Sequence, residues 1–285
     1  MELHPSTRSR PPIGLLAGWG RFPIVFAEKA RQLKIPVVCV GIRDEASPDL
    51  APLVERFYWS GVARMGRMIR CFKKEGVGEV VMAGKIHKVR MNTPFRIFRL
   101  LPDWRTFRGW LFRPRADNKD DTLLLWLIDE FAADGMRFAS ALDYCPELLV
   151  NEGILTHRRL SAREEGDIAF GWELAKEMGR LDVGQSVAVR EKAVLAVEAI
   201  EGTDQAIVRA GQLCPRGGFV VVKVAKPQQD MRFDVPTIGT STIETMHKAG
   251  ARVLAIEAGK TIILDQDQTV QLADRYGISI IARAA

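Results

Sequence analysis

The chain has 285 residues, with 41 Lys and Arg against 35 Asp and Glu, a formal charge of +6 and a hydrophobic share of 47%. That is enough apolar material for one large domain or two medium ones, which excludes a chain disordered throughout. No apolar run nears the roughly 18 residues of a spanning helix, and the longest, such as Leu123 to Ile128, is broken early by acids.

The N-terminus is polar, and the apolar stretch before Gly18 is too short for a signal-peptide core, so the chain is expected in the cytoplasm. Ile13 to Ala17, the Gly-Trp-Gly turn and the amphipathic stretch from Pro23 to about Leu33 read as strand, tight turn and helix. Pro36 to Val40 is a valine-rich strand, a helix follows near Ala63 to Lys74, and Glu79 to Ala83 repeats the strand pattern. Strands alternating with helices imply a parallel sheet covered on both faces.

From Lys85 to Lys119 ten Lys and Arg face only Asp103 and Asp117, so the basicity is local. Phe95, Phe98, Trp104, Phe107, Trp110 and Phe112 interleave it, a mixture that suits RNA phosphates, anionic lipid or a phosphorylated substrate. A helix then starts near Asp120, with acids in a first turn that the helix dipole favours. Residues 151–163 are polar and read as a linker between an N-terminal α/β domain, 1–150, and a C-terminal one, 164–285. The second domain opens with a helix from Glu164 to Met178 that Gly179 is expected to stop. Strands follow at Ser186 to Val189 and Val194 to Val197, then a helix from about Asp204 and a strand at Phe219 to Val222. A polar loop leads to Pro236, followed by a helix at Thr240 to Ala249, strands at Val253 to Ile256 and Ile262 to Leu264, and a last helix and strand.

Several segments carry residues suited to chemistry. Gly18 and Gly20 have the first two spacings of a dinucleotide-binding loop, but Pro23 stands at the third and no acid closes the second strand. What survives is a glycine turn and a proline-headed helix start, which either cradle an anion or simply turn the chain. The densest polar segment runs from Lys223 to Thr242 between a buried strand and a helix, where α/β proteins place ligands. In it Lys223, Lys226 and Arg232 suit phosphates, and Asp230 and Asp234 suit a cation or a water proton. Glu198, Glu201 and Asp204 form a second acidic cluster, in which Thr203 is alternatively a helix cap. The four cysteines and four histidines lie apart, so neither a disulfide framework, a cysteine zinc site nor a serine or cysteine nucleophile is favoured.

GLLAGWGRFP, AGK at Ala83 to Lys85, KDDTLLLWLIDEF from Lys119, the segment from Gly179 to Asp204, and KPQQDMRFDVPTIGTSTIE from Lys226 together resemble the LpxI family, in family order over nearly the whole chain. The resemblance implies two α/β domains, a Rossmann-like N-terminal parallel sheet and a C-terminal domain, with a ligand cleft between them. It implies hydrolysis of UDP-2,3-diacylglucosamine to UMP and 2,3-diacylglucosamine 1-phosphate in lipid A synthesis, with magnesium or another divalent cation and water attacking the UMP-side phosphorus. The required aspartate of its R-x-D-x-P element is here Asp234, with Asp230 and Arg232 beside it as further catalytic candidates. Asp234 is either metal ligand or base, with Glu201 or Asp204 as further ligands. The substrate-binding positions expected with this resemblance are Gly18, Trp19, Gly20, Ala83, Gly84, Lys85, Asp121, Thr122, Gln185, Thr203, Lys223, Lys226 and Gln229. The partners implied are the lipid substrate and product, peripheral contact of the basic stretch with anionic membrane, and a homodimer, with no nucleic acid. A noncatalytic RNA- or membrane-binding protein is the alternative, and a nicotinamide oxidoreductase a weaker third.

Overall fold

The computed structural model describes residues 10–86, 102–112, 120–232 and 234–284, with no account of the side chains of residues 110, 112 and 120–122. The chain divides into two compact units, Met1–Cys145 and Pro146–Ala285. Most of the basic stretch, including His87, therefore lies outside the described residues.

The first unit is built on a five-stranded parallel sheet in the order β3-β2-β1-β4-β5, from β1 (Ile13–Ala17), β2 (Val37–Ile42), β3 (Arg56–Ser60), β4 (Glu79–Ala83) and β5 (Arg137–Ala139). Helices α1 (Phe22–Gln32), α2 (Met65–Lys74), α3 (Trp104–Phe112) and α4 (Asp120–Ala132) accompany it. Every residue of β1 and β2 is buried, as two covered faces require. Phe72 of α2 and Phe131 of α4 pack together with ring centroids 6.1 Å apart. Helix α3 is held by Arg105, which pairs with Glu130 at 2.7 Å and with Asp134. Its Gly109 lies against the Trp126 ring so closely that a Cβ there would overlap it.

The second unit is a six-stranded mixed sheet in the order β6-β13-β11-β9-β7-β8. Its strands are β6 (Gly153–Ile154), β7 (Ser186–Arg190), β8 (Ala193–Val197), β9 (Phe219–Lys223), β11 (Ala251–Glu257) and β13 (Ser279–Arg283); β10 (Thr237–Ile238) and β12 (Ile262–Ile263) form a separate pair. Alternation along β9 divides the core. Val220 and Val222 face Ile168, Ala175 and Met178 of α5 (Ala162–Arg180), while Phe219 and Val221 face α6 (Thr203–Leu213), α7 (Thr240–Ala249) and α8 (Gln266–Arg275).

Two local expectations change. Residues 151–163 are not a bare tether: Gly153 and Ile154 add an antiparallel strand to β13, and Ser161 and Glu164 form a reciprocal capping box that starts α5. Gly179 does not stop α5, which continues to Arg180 and ends with Leu181 at its cap. A Cβ on Gly179 would lie 3.3 Å from Lys226 Cα, so the glycine serves the close approach of the loop after β9.

The β7–β8 hairpin turns through Glu191 (φ 52°) and Lys192 (φ 58°), a left-handed pair that lacks the usual glycine. The buried Asp167 carboxylate of α5 accepts both turn amides, Glu191 N–H at 2.9 Å and Lys192 N–H at 2.7 Å. Asp167→Ala should cost about 2 kcal/mol, the scale of hydrogen bonds to a charged group. Urea unfolding measures it, and a loss under about 0.5 kcal/mol, ordinary for a surface change, would mean the turn holds itself.

Candidate active site

In the first unit the relevant geometry lies at the carboxyl ends of β1 and β4. These neighbours mark where strand order reverses, with β2 and β3 on one side and β5 on the other, the place where open α/β sheets leave a crevice for ligands. Gly18 N–H donates to Ala83 O at 2.9 Å, and Trp19 and Lys85 exchange backbone bonds at 2.7 and 2.9 Å. Side chains are excluded from this contact: a Cβ on Gly18 would lie 2.6 Å from Lys85 O, and one on Gly84, whose φ is +93°, would lie 2.8 Å from Trp19 O. Gly18, Trp19, Ala83, Gly84 and Lys85 are thus brought together, with Trp19, Gly84 and Lys85 exposed, and Gly20 follows them in the chain with φ +109° and open space beside it. The side chains of Asp121 and Thr122 lie outside the described residues.

In the second unit the candidates gather where β9 ends. Lys223, its last residue, is 3% exposed, and its Nζ donates to Thr203 Oγ1 and to Thr237 O, each at 3.1 Å. Thr203 Oγ1 donates to Glu198 Oε1 at 3.0 Å and meets Ser186 Oγ at 3.3 Å. The base of the Lys223–Thr237 loop is therefore closed by a buried lysine, against the start of α6. Thr203 is not the cap of α6: Gly202, with φ 85°, takes that position, and Thr203 is the first helical residue, turned into the network. Neither α6 nor α7 has a side-chain cap, their cap residues being Gly202 and Gly239, so two helix starts keep amides available to an anion.

Within the loop, Lys226 and Gln229 close a turn, Lys226 N–H donating to Gln229 Oε1 at 2.8 Å. Lys226 Nζ reaches Asp182 at 2.7 Å. Arg232 grips Asp230 through Nε and Nη2, at 2.9 and 2.6 Å, and that guanidinium holds the Asp230 carboxyl below its ordinary range. Asp234 N–H donates to Asp230 O at 3.0 Å, while its carboxylate has no side-chain partner among the described residues. Among the described residues, three buried atoms in this region lack hydrogen-bond partners: Gln185 Oε1, Glu198 Oε2 and Gln229 Nε2. Val224 N–H donates to Gln185 O at 3.0 Å, which sets Gln185 beside the end of β9. Buried polar atoms without partners are costly unless something supplies one, and here both acceptors and a donor wait.

The expected metal ligands do not converge. No group of three His, Cys, Asp or Glu among the described residues is arranged to hold a metal. Glu201 is turned to Arg209, and its carboxyl is held low first by its own backbone N–H and then by that arginine. Asp204 sits in the first turn of α6. Glu198, which stood in the acidic cluster without a role of its own, is the member that enters the buried network. Its alternation with Ala196 along the strand end was the available signal.

Residues 12–148 match the family model described as the LpxI N-terminal domain, and residues 151–281 match the LpxI C-terminal domain. A relative from Caulobacter vibrioides, named UDP-2,3-diacylglucosamine pyrophosphatase LpxI, is 30% identical over 279 residues, covering 94% of this chain and 96% of its own. The biotin carboxylase subunit of pyruvate carboxylase aligns at 12% identity with a TM-score of 0.27, over 72% of this chain and 41% of that one, and no conclusion follows from it.

Because Asp230 is held low when folded, its pairing with Arg232 contributes stability that is fully present above the ordinary aspartate value of about 3.9 and is lost as pH falls through the lower folded value. A carboxyl NMR titration should find Asp230 below that ordinary value. Titration at or above it would mean the pair is absent in solution.

Proposed function

This chain belongs to the LpxI family, and from that membership we propose that it hydrolyses UDP-2,3-diacylglucosamine to UMP and 2,3-diacylglucosamine 1-phosphate. The observation that supports this most is the R-x-D-x-P loop itself: cations, a carboxylate with no side-chain partner among the described residues, and two helix starts without side-chain caps, gathered at one end of β9. A pyrophosphate needs that set, because charge on both phosphates must be tolerated as one oxygen arrives and another leaves. Lys226, Arg232 and the amides opening α6 and α7 bind the phosphate oxygens, and Lys223 stiffens the base beneath them. Water attacks the UMP-side phosphorus, the bond from that phosphorus to the bridging oxygen breaks, and the bridging oxygen leaves on 2,3-diacylglucosamine 1-phosphate. Asp234 takes the water proton; Asp230, neutralised by Arg232, orients the guanidinium.

Magnesium fits this donor set in one way. It commonly takes one or two carboxylates and completes its shell with substrate phosphates and water, so in its alternative role, as ligand and not base, Asp234 would hold it together with the substrate, without a protein cage. Bound there, the ion would neutralise phosphate charge. The free carboxyl oxygen of Glu198 and the amides of Gln185 and Gln229 suit sugar or base groups of the nucleotide.

The substrate carries two acyl chains, and α3 presents an apolar stripe. Trp104, 75% exposed, Phe107 and Leu111 stand at i, i+3 and i+7, beside the exposed Arg108. Among the described residues no helix is long and apolar enough to cross a membrane, so contact would be interfacial, with the stripe dipping into anionic lipid.

Purified protein given UDP-2,3-diacylglucosamine and magnesium should release UMP, and chelator should stop it. Asp234→Ala should lower kcat at least about 100-fold, the scale of a lost acid–base group, with an unchanged unfolding midpoint. No release from folded wild type under several divalent metals would defeat the reading and favour binding by the basic stretch. Separately, sedimentation with anionic vesicles should bring the protein down at low salt, and Trp104→Ser with Leu111→Ser should weaken this. Equal sedimentation of the double variant would remove α3 from the contact.

A further inference from the structure

The loop that carries Asp230, Arg232 and Asp234 departs from β9 at Ala225, and Ala225 is gripped from outside the loop. Its N–H donates to Glu257 Oε2 at 2.8 Å, and its carbonyl accepts from Lys176 Nζ at 3.4 Å. The same Lys176 Nζ donates to Glu257 Oε2 at 2.6 Å. Glu257 is the last residue of β11 and is fully buried. Its other oxygen lies 3.0 Å from Lys260 Nζ, an ion contact without hydrogen-bond alignment. One carboxylate thus ties together helix α5 through Lys176, strand β11 through its own backbone, and the first peptide of the loop.

A strand end needs no buried carboxylate. Water or a backbone carbonyl satisfies a departing amide, whereas a buried charge is costly unless it is paired and bonded. Here the arrangement fixes a direction. The loop's return is already held by Lys223 Nζ on Thr237 O and by Ile262 N–H on Pro236 O at 2.8 Å. With that end fixed, the orientation of Ala225 decides the path of the Lys226–Gln229 turn and of the carboxylates beyond it.

We propose that Glu257, held by Lys176, is a positioning residue that sets the path of the 225–236 loop and so the placement of Asp230, Arg232 and Asp234. The idea rests on reading that loop as catalytic. Burial works against the ionised form of Glu257, but the bonds from Lys176 and Ala225 outweigh it and keep the carboxyl below its ordinary range, so the clamp is charged near neutral pH.

The test uses the full chain with Glu257→Ala, Glu257→Gln and Lys176→Met, read by amide exchange and by steady-state UMP release. In Glu257→Ala, exchange should quicken across 225–236 while the 186–197 hairpin stays protected. Its kcat should fall about 10- to 100-fold, the cost of a small misplacement, with KM moving less than about threefold. Glu257→Gln keeps an oxygen for Ala225 N–H and should restore most loop protection and part of kcat; Lys176→Met should show the same pattern more weakly. Unchanged loop exchange, or faster exchange with unchanged kcat, overturns the proposal, as does loss spread evenly over loop and hairpin. Should Glu257→Ala fail to fold, the other two variants decide by the same criteria. If wild type releases no UMP, the enzymatic reading fails on its own, and the exchange comparison still decides whether the clamp exists.

Discussion

A sheet covered on both faces has room for charge only at the ends of its strands. Every residue of β9 is buried, and nearly every residue of β11, so the first charged groups each strand can present at its carboxyl end are Lys223 and Glu257. The register pairs Ile256 with Lys223, which makes those two residues near neighbours on adjacent parallel strands. Both turn their charge on the same loop: the lysine closes its base at Thr237, and the glutamate grips its start at Ala225. In the first unit the constraint acts through backbone, since β1 and β4 are each followed by a glycine, Gly18 and Gly84, where the backbones pair so closely that a Cβ would not fit.

This explains how much was legible in the sequence. Strong runs such as Ile13–Ala17 and the valine-rich stretch of Phe219–Lys223 announce themselves because strands buried on two faces are nearly continuous in apolar residues. The loop after β9 stood out because so many polar residues follow such a run, and the structure does gather Lys223, Thr203, Lys226, Gln229, Asp230 and Arg232 there in bonded groups. Short edge strands left weaker marks. Arg56–Ser60 is only half-buried, and Arg137–Ala139 has three residues, too few for a period to declare itself.

What the sequence hid was pairing across long separations. Glu257 meets Ala225 from 32 positions away and Lys176 from 81, and no local pattern links them. Nor can residue type alone tell a packing glycine from a terminating one: Gly179 has the position of a helix stop, yet it makes room for Lys226. Glu201 and Asp204, expected beside Asp234 as metal ligands, form no group of three with it among the described residues. Glu198 turns into the buried network and Glu201 to Arg209, a divergence that neighbouring positions in sequence do not announce.

The loop's cations are engaged before any ligand arrives. Arg232 is held by Asp230, and Lys226 by Asp182. A ligand carrying one negative charge would displace one partner and leave a carboxylate unpaired, so its net gain is small. A pyrophosphate offers several oxygens to cations and helix amides together, and Arg232 still has N–H groups that Asp230 does not use. On the proposed reading, a loop whose cations start out paired would favour a ligand with two adjacent phosphates over one with a single carboxylate or phosphate. Asp234, whose carboxylate has no side-chain partner among the described residues, would be the carboxylate that responds to that charge.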